Sequence, residues 1–140
     1  MKWYFASRTK HRFKIIEISQ FLANVGETVT SDWVYKEISQ PYEKNTNEVE
    51  ALSDEVVGSI LETDIFVLIS DPEGTDMFIE LGVSLAKKAF LKKIKIYIVG
   101  RYSRRSIMQN HPSTVHVDNV KEIFDKEGIN SKDFIVPNFW

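Results

Sequence analysis

The sequence of 140 residues contains no cysteine and no long uninterrupted hydrophobic run. The absence of cysteine excludes disulfides, thiolate catalysis and cysteine-ligated zinc, and it is typical of a reducing compartment such as the cytoplasm. No segment approaches the roughly 20 apolar residues that a membrane-spanning helix needs, so we expect no membrane partner. The hydrophobic fraction of 43% and the charged fraction of 27% are ordinary for a globular chain, which predicts a well-formed core.

A large excess of charge of either sign is also missing, since the formal net charge is only -2. Such a chain produces no global field that attracts a nucleic acid polymer or an anionic membrane, so a small-molecule partner is the better expectation. The apolar run at residues 1–6 is too short for a signal peptide and predicts a first strand instead. The length predicts one domain that spans residues 1–140.

Hydrophobic residues follow strand-like and helix-like spacing in alternation along the chain. We predict strands at residues 3–6, 27–34, 65–69, 94–99 and 114–117, and helices at residues 13–25, 48–61, 77–90 and 118–126. Residues 35–47 are expected to form a loop or a short helix. The run at 65–69 is apolar on both faces, as in a central parallel strand covered by helices. The order predicts a three-layer α/β domain, flavodoxin-like and doubly wound, with about five parallel strands.

In sheets of this kind, ligands bind beyond the carboxyl ends of the strands, at the point where the winding direction reverses. That point lies here between the ends of the first and third strands. The rule places Ser7 and Arg8 at the site, together with the turn at residues 71–75, which includes Gly74 and Thr75.

Glu80 is an anomaly because it is a carboxylate inside an otherwise apolar helical turn. A buried carboxylate without a partner is costly. The residues four positions away are Asp76 and Ser84, so no i,i+4 ion pair explains Glu80. It is either a functional acid or an acceptor of hydrogen bonds from nearby backbone or from Arg8.

Asp71 follows a buried strand directly and could stand close to Glu80 across the turn. Two such carboxylates suit glycosidic chemistry, in which one attacks the anomeric carbon and the other, protonated, supplies a proton to the departing group. The alternative is that Asp71 only begins an Asp-Pro turn.

Several short motifs, in order and spacing, resemble the nucleoside 2-deoxyribosyltransferase family, including its relatives that hydrolyse deoxynucleoside monophosphates. The matching segments are Tyr4-Phe5-Ala6-Ser7, Thr30-Ser31-Asp32-Trp33, Ala51-Leu52-Ser53-Asp54, Thr63-Asp64 and Glu80-Leu81-Gly82. They extend through most of the chain.

The resemblance implies that Glu80 is the nucleophile, that Asp71 protonates the leaving base and that Tyr4 steadies Glu80 or lies beside the sugar ring. It also implies that Ser7 and Asp54 contact the substrate, and that Thr75 or Asp76 holds the 5′ end of the sugar. The implied partners are a nucleoside or nucleotide and a free base, without a cofactor. Transfer to another base and hydrolysis by water both remain open, and the implied assembly is a homo-oligomer, a dimer or larger.

Three arginines follow the predicted fourth strand, beginning at Arg101. Arginine suits phosphate oxygens, but a solvated basic loop is the alternative. The three histidines lack the spacing of a zinc motif, and we expect no metal site. His11, near the start of the first helix with Arg8 and Lys10, could meet an anion, but an exposed helix start is the expectation. The apolar tail at residues 133–140 is expected to pack on its own chain or on a second copy, or to close over the base.

Two further functions remain compatible with the sequence. One is cleavage of the nicotinamide bond of a dinucleotide, which uses a comparable glutamate. The other is a non-catalytic nucleotide-binding module, since a fold alone does not determine function.

Overall fold

A computed structural model describes all residues from Met1 to Trp140. Five parallel strands form one sheet in the order β2-β1-β3-β4-β5. The strands are β1 (Lys2–Ala6), β2 (Thr28–Val29), β3 (Ile65–Ile69), β4 (Lys95–Val99) and β5 (Thr114–Val117). The helices are α1 (Arg12–Asn24), α2 (Thr46–Glu62), α3 (Asp76–Leu91) and α4 (Val120–Lys126). None of the helices is long and apolar enough to cross a membrane.

Alternating side chains of the strands form two separate cores, one on each face of the sheet. Trp3 and Phe5 of β1 point toward α1 and α4, whereas Tyr4 and Ala6 point toward α2 and α3. The same alternation in β3 explains why its five residues are all apolar and all buried. The sheet is therefore covered on both faces, as the doubly wound prediction requires.

The second strand is shorter than the sequence predicts, and the reason lies in two side chains. Phe5 would pair with residues beyond Val29, but its N–H donates to Ser31 Oγ at 3.2 Å and its carbonyl accepts from Trp33 Nε1 at 2.8 Å. These side chains replace the ladder bonds, and the chain turns away into a 3-10 helix at Asp32–Tyr35. The prediction of a strand through residue 34 is therefore wrong in its second half.

Candidate functional site

Glu80 lies half-buried on α3 and is held by a tyrosine from the neighbouring strand. The hydroxyl of Tyr4, in the middle of β1, donates a hydrogen bond of 2.7 Å to Glu80 Oε1. Tyr4 itself is 1% exposed and its ring stacks on Phe66 of β3, so the hydroxyl has a fixed position. Glu80 is therefore neither in bulk water nor bonded to Arg8, the alternative partner considered from the sequence.

The surroundings of Glu80 favour its protonated form more than water would. Burial raises the pKa of Glu80 to about 7, although the hydrogen bond from Tyr4 lowers it and the charge of Asp76 adds to the rise. Burial and the neighbouring carboxylate also raise the pKa of Tyr4 well above its usual value, so Tyr4 stays a hydrogen-bond donor. A pKa near neutrality is typical of carboxyls in functional sites.

Asp71, at the end of β3, has a different set of partners. Its side chain is buried and accepts from Arg8 Nη1 at 3.3 Å, Lys10 Nζ at 2.8 Å and His11 Nε2 at 3.1 Å. The backbone N–H of Glu73 adds a bond of 3.0 Å. Burial by itself would raise the pKa of Asp71, but these donors outweigh it and hold the pKa at about 2. The contacts thus favour the ionised carboxylate, while the proton-donor role expected for Asp71 stays a prediction.

His11 is not exposed, contrary to the expectation from its place at a helix start. It is 3% exposed because its ring lies between the Asp71 carboxylate and the edge of Phe139, whose centroid is 5.3 Å away. Burial lowers the pKa of His11, although the hydrogen bond to Asp71 acts in the opposite direction. His11 and Lys10 were not among the predicted site residues. Their position beside Arg8 at the start of the first helix was the available signal, because it allowed contact with an anion.

The turn between β3 and α3 requires glycine at Gly74. Its φ is +122°, and an added Cβ would lie 2.7 Å from the Met77 side chain. Thr75 precedes α3 but its side chain caps nothing, so the N–H groups of the first helical turn lack a side-chain partner. The exposed Asp76 begins α3 one helical turn before Glu80.

The structure brings the first and third strand ends together, as predicted. Ser7 lies directly after β1, where its hydroxyl donates to the Arg8 carbonyl at 2.9 Å. Arg8 reaches across to Asp71 and also pairs with Glu73 at 3.0 Å. The segment at residues 7–11 and the turn at residues 71–75 therefore form one connected edge.

Asp54 is not brought to these residues. It is exposed and lies on the side of α2 that forms an open surface groove with Asn47 and Glu50. A different side of α2, which carries Glu55 and Val56, faces Tyr4 across a narrow cleft of about 160 Å³. Helical periodicity separates Asp54 from that side.

Arg101 is exposed, and its guanidinium lies 4.8 Å from the centroid of the Tyr102 ring. The following arginines are tied to backbone and amide groups: Arg105 donates to the Pro72 carbonyl and Arg104 to Asn110 Oδ1. No carboxylate pairs with any of the three. The basic loop thus lies against the turn that follows β3.

The tail packs on its own chain. Trp140 Nε1 donates to the Ser70 carbonyl at 3.1 Å, and its ring occupies the space where a side chain at Gly100 would lie. Phe139 is buried beside His11. Together these contacts cover the ends of β3 and β4.

No group of histidine and acidic side chains in the chain is arranged to hold a metal ion. The histidines contact a carboxylate, as His11 does, or backbone atoms, as His111 and His116 do.

The strand order and the polar carboxyl edge define a three-layer α/β protein of the flavodoxin-like kind. No protein-family model matches the sequence, and no curated protein matches it significantly. Among solved structures, the chain is similar to the Clostridium botulinum CMP N-glycosidase BcmB, with a TM-score of 0.55 and 15% sequence identity. The match covers 91% of this chain and 98% of that chain. The predicted fold class is confirmed.

Proposed function

We propose that the protein cleaves the N-glycosidic bond of nucleosides or their 5′-monophosphates, with Glu80 as the nucleophile. The observation that carries this proposal is the half-buried Glu80 carboxyl, fixed by the Tyr4 hydroxyl at 2.7 Å. A carboxyl with a pKa of about 7 is ionised in a useful fraction at neutral pH. The activity named for the structural neighbour, CMP N-glycosidase, supports the same bond type.

In the proposed reaction, a carboxylate oxygen of Glu80 attacks C1′ of the sugar. The bond from C1′ to the base nitrogen breaks, and its electron pair leaves with the base, which takes up a proton. The product is a glycosyl ester on Glu80. Water then attacks C1′, loses a proton and releases Glu80, so the configuration at C1′ is retained overall. If a second base attacks instead of water, the result is sugar transfer. Neither route needs a cofactor.

Two features at the carboxyl ends of the strands support a nucleotide as the ligand. The first turn of α3 has backbone N–H groups without a side-chain cap, and such helix starts favour anions. Arg8, Lys10 and the loop that begins at Arg101 place cationic groups along the same edge. We further propose a cytoplasmic location, since the chain has no cysteine.

The proposal is tested by incubation with ribo- and deoxynucleosides, their 5′-monophosphates and NAD, each with and without a free acceptor base. Chromatography then measures the released base. We expect free base from at least one nucleoside or nucleotide, whereas free nicotinamide from NAD alone would favour the dinucleotide reaction. Exchange into the acceptor base identifies a transferase, and release that is independent of the acceptor identifies a hydrolase.

The matched control compares Glu80→Gln with Glu62→Gln, which makes the same chemical change at the exposed end of α2. Only Glu80→Gln should abolish base release and the sugar adduct seen by mass spectrometry after an acid quench. If the wild-type protein releases no base at high enzyme concentration, the proposed activity is wrong.

We also propose that the protein is a homo-oligomer that associates through α3. Ile79 is 68% exposed and Phe90 is 86% exposed, and they form one stripe along the helix with the exposed Ala86 and the half-buried Val83, which also packs on the core. Exposed apolar stripes of this kind mark interfaces. The cleft between Tyr4 and α2 is too narrow on one chain to enclose a nucleoside, so a second copy would complete the enclosure.

The charges along α3 favour an antiparallel arrangement of two copies. Asp76 begins the helix and Lys88 lies in its last turn, so each acidic end would face a basic end. Light scattering after gel filtration should give a multiple of 16.2 kDa for the wild type and the monomer for Phe90→Lys. A wild-type monomer at high concentration would contradict this interface.

A further inference from the structure

Asp71 is a buried acid whose two oxygens are both fully used. Oδ1 accepts from Arg8 Nη1 at 3.3 Å and from the Glu73 backbone N–H at 3.0 Å. Oδ2 accepts from Lys10 Nζ at 2.8 Å and is 3.1 Å from His11 Nε2. A carboxylate offers about four lone-pair positions, so the four contacts leave none free.

This arrangement is poorly suited to proton donation. A protonated carboxyl would have to break one of these contacts to carry its hydrogen. It would also leave the positive charges of Arg8 and Lys10 close together without the carboxylate that neutralises them. Glu73 still pairs with Arg8 at 3.0 Å, but its side chain is 72% exposed, and Asp71 is the only carboxylate that contacts Lys10.

The cations around Asp71, in contrast, are only partly used. The side chains of Arg8 and Lys10 are 34% and 49% exposed, and each keeps donors beyond those that contact Asp71. Arg105 lies against the same turn through the Pro72 carbonyl and pairs with no carboxylate. These three side chains can therefore donate to an anion at the end of β1.

We propose that Asp71 is a positioning residue and not the proton donor of the reaction. It holds Arg8 and Lys10 where they bind the phosphomonoester of the substrate. The inference rests on the proposed function. In the bond-breaking step, Glu80 forms its bond to C1′, and the base leaves with the electron pair of the C1′–N bond and takes its proton from solvent water.

The test separates binding from chemistry in Asp71→Asn. For a 5′-monophosphate, we expect KM to rise at least tenfold while turnover at saturation stays within about threefold of wild type, and for the matching nucleoside we expect KM unchanged. Among the nucleotides that the enzyme cleaves, kcat should depend on the acidity of the leaving base in the same way in the variant and in the wild type, because Asp71 does not protonate the base.

If turnover at saturating substrate instead drops by about two orders of magnitude at unchanged KM, and bases that need no protonation to leave reverse the loss, Asp71 is the acid after all. Should Asp71→Asn fail to fold, Lys10→Gln carries the test, since Lys10 is exposed and its loss should raise KM for the phosphomonoester alone. An unchanged KM in Lys10→Gln would overturn the proposal. If the wild-type protein cleaves nothing, the proposed function is wrong. Binding of inorganic phosphate to the wild type and to Lys10→Gln then still tests whether Arg8 and Lys10 form an anion site.

Discussion

Two acids, Asp71 and Glu80, lie near the carboxyl ends of the strands of one sheet, and their surroundings shift their pKa values in opposite directions. Burial alone would raise the pKa of both Asp71 and Glu80. Asp71 meets two cations, an imidazole and a backbone N–H, and its pKa is about 2. Glu80 meets one neutral hydroxyl and the like charge of Asp76, and its pKa is about 7. The number and charge of the donors, more than depth in the protein, therefore determine which acid is ionised at a given pH.

The largest expected effect comes from removing the carboxylate at Glu80. Glu80→Gln keeps the size of the side chain but cannot attack C1′, so kcat should fall by at least about 10³-fold. Base release measured at saturating substrate checks this, with circular dichroism to confirm that the variant folds. Activity within tenfold of wild type would show that Glu80 is not the nucleophile.

The corresponding change at Asp71, Asp71→Asn, should lower the stability of the folded protein. In Asp71→Asn, the cations lose their neutralising charge, and we expect a loss of about 2 kcal/mol in the free energy of unfolding, below the ~3–5 kcal/mol of fully buried pairs because Arg8 and Lys10 are partly exposed. Urea unfolding at pH 7 measures it, and Asp133→Asn, an exposed acid, is the control.

The direction in which the stabilisation by Asp71 changes with pH follows from its lowered pKa. Asp71 titrates at about 2 in the folded protein and at 3.8 when unperturbed, so its stabilisation is present above about pH 4 and is lost as the pH falls toward 2. The difference between wild type and Asp71→Asn should shrink over that interval. A difference that stays constant down to pH 2 would contradict the ion-pair explanation.

A smaller effect is expected when the hydroxyl beside Glu80 is removed. Tyr4→Phe deletes the hydrogen bond that lowers the pKa of Glu80, so this pKa should rise by about one unit, the equivalent of ~1.4 kcal/mol. The acidic limb of kcat/KM, near pH 7 in wild type, should move upward, with about a fivefold loss at pH 7 that is recovered at pH 9.

Tyr97→Phe is the matched control, because the Tyr97 hydroxyl donates to Glu127 in a similar tyrosine–carboxylate pair away from Glu80. Its pH profile should match that of the wild type. Equal shifts in both variants would mean that the Tyr4 contact is not the cause.

The smallest effect is expected at Asp76, which raises the pKa of Glu80 through its charge alone. Asp76→Asn should move the acidic limb to lower pH by a few tenths of a unit, since an exposed charge is largely screened. Profiles at low and high salt check the cause, because the shift should diminish as salt increases. A shift to higher pH would contradict the assigned sign.

Much of the fold could be predicted because the hydrophobic spacing is regular. The buried run of β3 and the apolar stripe of α3 define their elements without help from tertiary contacts. The end of β2 could not be predicted, because Ser31 and Trp33 replace backbone pairing with side-chain hydrogen bonds to Phe5. The β-strand propensity of a residue does not predict such side-chain hydrogen bonds.

At the candidate site, Glu80 stood out in the sequence because an acid in an apolar helical turn breaks a local pattern. Lys10 and His11 broke no such pattern, since basic residues at a helix start are ordinary. Their convergence on Asp71 joins segments about 60 positions apart in the chain and exists only after β1 and β3 pair.

The packing of Trp140 on Gly100 has a practical consequence for anyone who modifies the protein. An added Cβ at Gly100 would lie 1.9 Å from the indole, so even Gly100→Ala must displace this ring from the rim of the candidate site. A purification tag fused after Trp140 would begin at that same rim. A tag joined ahead of Met1 would lie near Glu27 at the opposite edge of the sheet; it would remove the ion pair between the Met1 amino group and Glu27 but would leave the rim of the candidate site unchanged.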